Sequence, residues 1–233
     1  MTKISPFALM LAFSIFIYPV TIAGQEEKPL SPVLSSEAGE TDTAKGIGIR
    51  RIIGPGQMSP LDYRMLELAI EAARECSQTL EAAIDQGIKS EKEIFSTLYF
   101  PIIPLTSPPT FSTFYDDYTD KAITPIEDNY LAKDKRIVFV VLVDRNGYLP
   151  SHNTKFSQPP SGDRSIDIKR NRTKRIFNDI TGFCAAKNRG DFLLQRYRRD
   201  TGELIADISV PVFVKNRHWG ALRIGFAVGD DDV

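Results

Sequence analysis

Leu204-Ile205-Ala206-Asp207-Ile208-Ser209-Val210-Pro211-Val212-Phe213-Val214, followed by Lys215-Asn216-Arg217-His218-Trp219-Gly220-Ala221-Leu222-Arg223-Ile224-Gly225-Phe226, decides the fold. Leu204, Ala206, Ile208, Val210, Val212 and Val214 alternate with Asp207 and Ser209, which is the period-two pattern of a strand. Lys215-Asn216-Arg217 reads as a turn. On the return strand His218, Gly220, Leu222, Ile224 and Phe226 share one face. That parity points His218 inward and puts Trp219 on the face of Arg223. Strands joined by so short a turn pair antiparallel.

The same logic works upstream. Residues 192–198 form a third strand, leading into the turn Arg199-Asp200-Thr201-Gly202. Residues 137–143 are an unbroken β-branched and aromatic run, the mark of a strand buried on both faces. Asp144-Arg145-Asn146-Gly147 makes a tight turn, with Asn-Gly supplying positive φ. Residues 148–152 are expected to return as a short strand. Asn171 can cap a helix whose apolar face is Ile176, Phe177, Ile180 and Cys184.

Helices come first in the chain. Ser59-Pro60-Leu61-Asp62 is a helix start: serine caps, proline suits the first turn, and an acid follows at the third position. Leu66, Ala69, Ala73, Cys76, Leu80 and Ala83 then recur at helical spacing, giving about seven turns that end near Gly87. Ser90-Glu91-Lys92-Glu93 is a second capping box. Proline-rich aromatic chain follows, and residues 125–132 form a further short helix. The sum is an α+β domain: an antiparallel five-stranded sheet flanked by helices, with a long N-terminal helix.

The ends read differently. Lys3, the apolar run 7–20 and the small residues of Thr21-Ile22-Ala23 have the layout of a secretory signal peptide over residues 1–23. The alternative is a retained anchor, for which the run is short and broken by Pro19. Residues 24–58 are rich in Pro, Gly, Ser and Glu and read as a linker. Within it Ile47, Ile49, Ile52 and Ile53 could form a short edge strand. The domain proper is expected over 59–228, with an acidic tail at 229–233. Such a chain is exported, into the periplasm or its equivalent, or held at a membrane by the uncleaved segment.

The formal net charge of −1 argues against bulk nucleic-acid binding. The cationic residues do gather between Arg164 and Arg199, as a solvated face or an anion-binding surface. The two cysteines, Cys76 and Cys184, could pair in an oxidising compartment or stay as small apolar residues.

Several blocks carry a family resemblance. They are Asn146-Gly147-Tyr148-Leu149-Pro150, His152-Asn153, Phe156-Ser157-Gln158-Pro159, Asn171-Arg172, Arg175-Ile176-Phe177, Phe192-Leu193-Leu194-Gln195, Tyr197-Arg198-Arg199-Asp200 and Arg217-His218-Trp219-Gly220. In that order they resemble a sensory module of bacterial methyl-accepting chemotaxis proteins, similar to the Cache and PAS folds. The resemblance covers residues 59–226 and is dense after 136. It implies a PAS/Cache-like sheet, a small-molecule ligand and a role in signal transduction. It also implies a partner, either a membrane receptor or another signalling protein, with a homodimer as one assembly. The chain departs from the receptors in having no coiled-coil signalling region, so a signal is expected to leave through that partner. Some relatives carry covalent c-type haem. Cys184-Ala185-Ala186-Lys187-Asn188 lacks the second cysteine and the histidine, so covalent haem is not supported. Non-covalent haem or a metal at His152 or His218 is the remaining cofactor reading, and the cofactor stays unknown.

No Gly-x-Ser-x-Gly elbow, phosphate-binding glycine loop or His-Glu-x-x-His is present, so the expectation is a binding protein and not an enzyme. The candidate ligand-binding residues are His152, His218, Arg175, Arg196, Arg198 and Tyr148. Guanidinium groups read carboxylates in a bidentate way. Arg196 and Arg198, on the face of Leu194, need either a ligand or the carboxylates of Asp144 and Asp207. A sheet face filled by Phe139, Leu194, Ile208 and Phe226 would favour a purely structural or interaction domain instead.

Overall fold

The computed structural model describes residues 50–199 and 202–229. The expected signal segment, most of the linker and the end of the acidic tail lie outside the described residues. The elements in chain order are β1 (Arg51–Ile53), α1 (Pro60–Asp85), α2 (Glu91–Ile94), β2 (Phe100–Pro101), β3 (Phe111–Ser112), α3 (Asp116–Ala122), α4 (Thr124–Leu131), β4 (Ile137–Asp144), α5 (Arg164–Arg170), α6 (Ile180–Lys187), β5 (Leu193–Arg198), β6 (Leu204–Val214) and β7 (Arg217–Ala227).

Helix α1 begins as its sequence dictates. The Ser59 hydroxyl accepts from the Asp62 amide, and the Asp62 carboxylate accepts from the Ser59 amide at 2.8 Å. This reciprocal cap satisfies two amides that the first turn leaves without partners. The helix stops before Gly87, whose φ of +67° suits glycine. Helix α2 repeats the same box at Ser90 and Glu93.

Among the described residues the main sheet has five strands, all antiparallel, in the order β1-β5-β6-β7-β4. The number of strands agrees with the expectation, but their identity differs. Residues 148–152 are not a strand of this sheet. The turn forms, with the Asp144 carboxylate accepting from the amides of Asn146 and Tyr148. The chain then veers away and bonds to residues 174–177 through Leu149 N–H to Arg175 O and Phe177 N–H to Gly147 O. The fifth strand is β1 at the opposite margin, which takes in Ile52 and Ile53 of the short edge strand expected within the linker. Its Ile53 is buried and lies opposite Leu194.

The outer margin of β4 finds acceptors without a neighbouring strand. The Val140 amide donates to Asn153 Oδ1 at 2.8 Å, the Leu142 amide to Glu127 Oε1 at 2.9 Å and the Asp144 amide to Tyr148 O at 2.9 Å. Such donors are costly to bury without a partner.

The sheet has two different faces. One is packed by α1, α3 and α4: Met65, Ala69, Cys76, Leu80, Ile123 and Tyr130 meet Val140, Leu142, Leu194, Ile208, Leu222 and Phe226 in one continuous core. The other carries Phe139, Val141, Val143, Ile205 and Ala221, with Leu149 and Ala186 against them. Phe139 therefore does not share a face with Leu194, Ile208 and Phe226. It alternates in phase with Val141 and Val143, and a register shift between Ile137 and Phe139 puts Ile137 on the opposite, helix-packed face.

A second shift, between Val212 and Phe213, has a larger consequence. It reverses the parity at the start of β7. Trp219 turns into the helix-packed core, where its indole N–H donates to Ile94 O at 2.7 Å and its ring meets Tyr115 edge-on. His218 is left half-buried beside Phe213. The expectation for this pair is thus inverted, because alternation holds only where no residue is inserted.

Two further expectations change. Asn171 ends α5 and does not start α6. The cap of α6 is Asp179, whose Oδ1 accepts from the amides of Thr181 and Gly182. Ile176 and Phe177 lie before the helix. Cys76 and Cys184 are both free thiols: the first is buried in α1 and the second is on α6, which cover opposite faces of the sheet.

Candidate functional site

The second face of the sheet is built from residues that sit out of phase with the apolar runs. Register aligns them into rows. Gln195, Asp207, Gly225 and Phe139 form one row, and Ser209, Arg223 and Val141 form the next. Asp207 and Arg223 are therefore diagonal neighbours across two strands, within reach of long side chains. Arg223 donates to both carboxylate oxygens of Asp207, and the Tyr197 hydroxyl donates to Asp207 Oδ2 at 2.9 Å. Burial works against the Arg223 charge, but the Asp207 carboxylate holds its pKa above the ordinary value. A buried pair of this kind is kept by its own hydrogen bonds.

Above this face lies a cavity of about 320 Å³. Phe139 and Val141 form part of its floor, joined by Tyr197 and Arg223. Leu149, His152, Arg172, Phe177 and the start of α6 complete its lining, with Arg198 and Arg199 at the end of β5. The volume lies near the lower end of the roughly 300–1,000 Å³ that small-molecule sites occupy.

Gly225 makes the floor possible. It faces Phe139 across the β4–β7 pair, and a Cβ there would come within 2.2 Å of the Phe139 ring. Gly147 fixes a wall. Its φ is +81°, and a Cβ would lie 2.2 Å from Phe177 O, so the chain before Leu149 and the chain after Arg175 can approach only at a glycine.

His152 is the most constrained polar group of the site. It is 3% exposed and sits between the rings of Phe156, at 4.9 Å, and Phe139, at 6.4 Å. Its Nδ1 is buried with no hydrogen-bond partner. Burial holds its pKa well below the ordinary histidine value, and the charges of Arg172, Arg199, Lys155 and Arg175 push the same way. The imidazole is neutral at physiological pH, with one ring nitrogen to donate and one to accept.

The arginines are arranged by aromatic rings. The Arg172 guanidinium stands over Phe177 at 5.2 Å and that of Arg199 over Phe139 at 5.6 Å. Arg172 also donates to Ile168 O at 3.0 Å, and Arg199 lies 3.7 Å from Glu203. The acid in the lining, Asp179, has Oδ1 committed to capping α6.

No family model matches the chain, and no curated protein does. One solved structure is similar to it. This is the sensory domain of the Campylobacter jejuni chemoreceptor Tlp3 (CcmL), at 12% identity and a TM-score of 0.35. The similarity covers 75% of this chain and 65% of that one.

Of the six residues singled out from sequence, the structure brings His152 and Arg198 to the cavity and places four elsewhere. Tyr148 is fully buried on the helix side, where its hydroxyl donates to Asp116 Oδ2 at 2.8 Å. Arg196 crosses to α1 and pairs with Asp62 at 2.9 Å, so its carboxylate is neither Asp144 nor Asp207. Arg175 is buried and donates to Asp167 O at 3.0 Å. His218 lies at the far end of β7 from Phe139. The two histidines are not neighbours, and among the described residues no cluster of three or more His, Cys, Asp or Glu could hold a metal. Phe139, Phe177, Tyr197 and Arg223 are lining residues that alternation alone does not single out. Their signal is the pairing of strand registers, which puts one polar residue from each strand on the same patch.

Proposed function

We propose that this protein is an exported sensory module of PAS/Cache-like architecture that binds a small molecule and acts through a partner protein. The observation that carries the reading is the cavity on the second sheet face, with a neutral, buried His152 whose Nδ1 has no hydrogen-bond partner among the described residues. The alternative of a purely structural domain would have both faces filled by side chains. Leu194, Ile208 and Phe226 do fill the helix-packed face, whereas Phe139 floors the open one. The sequence blocks that resemble chemoreceptor sensory modules support signalling as the use of the bound state. Leu149, His152, Arg172, Phe177 and Arg199 of the lining all lie inside those blocks.

The test is native mass spectrometry of the protein purified from its own host, followed by thermal shift across a metabolite panel. A retained small molecule, or a compound that raises the unfolding temperature in the wild type and not in a His152→Phe variant, is the expected result. No retained molecule and no shift from any compound would remove the reading.

A further inference from the structure

The molecules this cavity can take follow from what its lining has left to offer, on the reading that it is a small-molecule site. The charged groups of the lining are engaged by the protein itself. Arg172 donates to Ile168 O, Arg198 donates to Gly202 O at 3.3 Å, and Arg199 lies 3.7 Å from Glu203. Arg223 holds Asp207, and Asp179 caps α6. A charged ligand would have to displace one of these partners or sit unpaired against apolar walls, and a buried unpaired charge is costly. Phe139, Val141, Leu149 and Phe177 present rings and hydrocarbon to the void.

His152 is different. It lines the same cavity, it is 3% exposed, and its Nδ1 has no hydrogen-bond partner among the described residues. A buried polar ring with an unpaired nitrogen favours a ligand that pairs it. The ring centroids of His152 and Phe139 are 6.4 Å apart, so a molecule the size of one ring laid on Phe139 lies beside the imidazole. The neutral imidazole has one nitrogen that donates and one that accepts. A hydroxyl group does both, so it suits either tautomer. A carboxylate only accepts, and an ammonium only donates.

We infer that the cavity takes a small uncharged hydroxyl compound with a compact apolar body, the body laid against Phe139, Phe177 and Leu149 and the hydroxyl hydrogen-bonded to the imidazole of His152.

Isothermal titration of the full chain with four molecules that share one body tests this: p-cresol, toluene, p-toluate and p-methylbenzylamine. p-Cresol should bind about tenfold or more tightly than toluene, the difference expected for one buried hydrogen bond. The two charged molecules should fall below p-cresol by about tenfold or more. His152→Phe should bring p-cresol down to the level of toluene, with circular dichroism to check that the variant folds. A second readout needs no variant, because the chain has only two histidines. p-Cresol should shift the ring-nitrogen NMR signals of His152 more than toluene does, and leave those of His218, at the far end of β7, in place.

Toluene binding as tightly as p-cresol, or His152 signals that respond to both alike, would overturn the hydroxyl. A charged molecule matching p-cresol would overturn the uncharged class. In either case the small-molecule reading still stands. A preference for p-cresol that survives His152→Phe would overturn the assignment to this cavity. If none of the four binds, the molecule retained from the host decides. An uncharged hydroxyl compound upholds the inference, any other molecule removes the ligand class and leaves the site, and no molecule at all removes both.

Discussion

The two faces of one sheet differ in how they are closed. The helix-packed face is sealed by long, regular elements whose side chains interlock. Met65, Leu80, Ile208 and Phe226 are essentially unexposed there. The other face is covered by a short helix and by irregular chain around residues 149–156 and 171–180, and it encloses a void. It also holds most of the buried polar chemistry of the sheet: Gln195, Asp207, Ser209 and Arg223. A face filled by apolar side chains gains stability from every residue. A face built on charge pairs and open volume gains little, and it is free to recognise something else.

This contrast can be broken by mutation. The largest effect should come from Phe226→Ala in the sealed face, at ~3–5 kcal/mol by urea unfolding. Phe177→Ala, half-buried beside the void, should cost under ~2 kcal/mol. Equal losses would mean that the two faces are packed alike.

Next comes Arg223→Met. It strands the Asp207 carboxylate with Tyr197 as its remaining partner among the described residues and should cost about 3 kcal/mol. Combining it with Asp207→Leu should recover most of that loss. A double variant as weak as the single one would show that the pair contributes through packing and not through charge.

The smallest effect concerns Glu127, which sits at the margin between the two faces. Burial pushes its pKa up to about 8, against the hydrogen bonds it accepts from the Leu142 amide and the Ser151 hydroxyl. An acid that holds its proton more tightly when folded loses stability as pH rises from its unfolded value of ~4.3 to its folded value. Below that window the wild type carries no penalty. Glu127→Gln keeps both accepted bonds and cannot ionise. Its stability should draw ahead of the wild type between about pH 5 and pH 8, reaching ~1 kcal/mol or more at the upper end. Parallel pH curves would show that the carboxyl ionises without penalty.

The sealed face was largely legible in the sequence, and the open one was not. Helix α1 announces itself by a cap at Ser59 and apolar spacing to Ala83, and β4, β6 and β7 by their runs and alternation. These are local signals, set within a few residues. The open face depends on relations between distant strands. Two inserted residues, one in β4 and one at the start of β7, each reverse a parity, which is why Ile137 and Phe139 lie on opposite faces and Trp219 departs from simple alternation. Residues 148–152 look like a strand because they follow a good turn. Nothing in them reveals that Glu127 and Asn153 take the place of a neighbouring strand. His152 and Arg198 were visible as polar residues near turns, while Arg223 and Tyr197 gain their meaning only once Asp207 is known to lie between them.

The capped margin of β4 has a consequence for how copies of this protein can meet. An open strand edge is a template onto which another chain can add by backbone pairing. Here the outward amides of Val140, Leu142 and Asp144 already have acceptors from the chain's own α4 and the segment 148–153. The opposite margin is β1, three residues long among the described residues and followed by Gly54 and Pro55. Among the described residues neither edge of this sheet offers a long run of free backbone, which favours association through helix and loop surfaces over growth into a continuous intermolecular sheet.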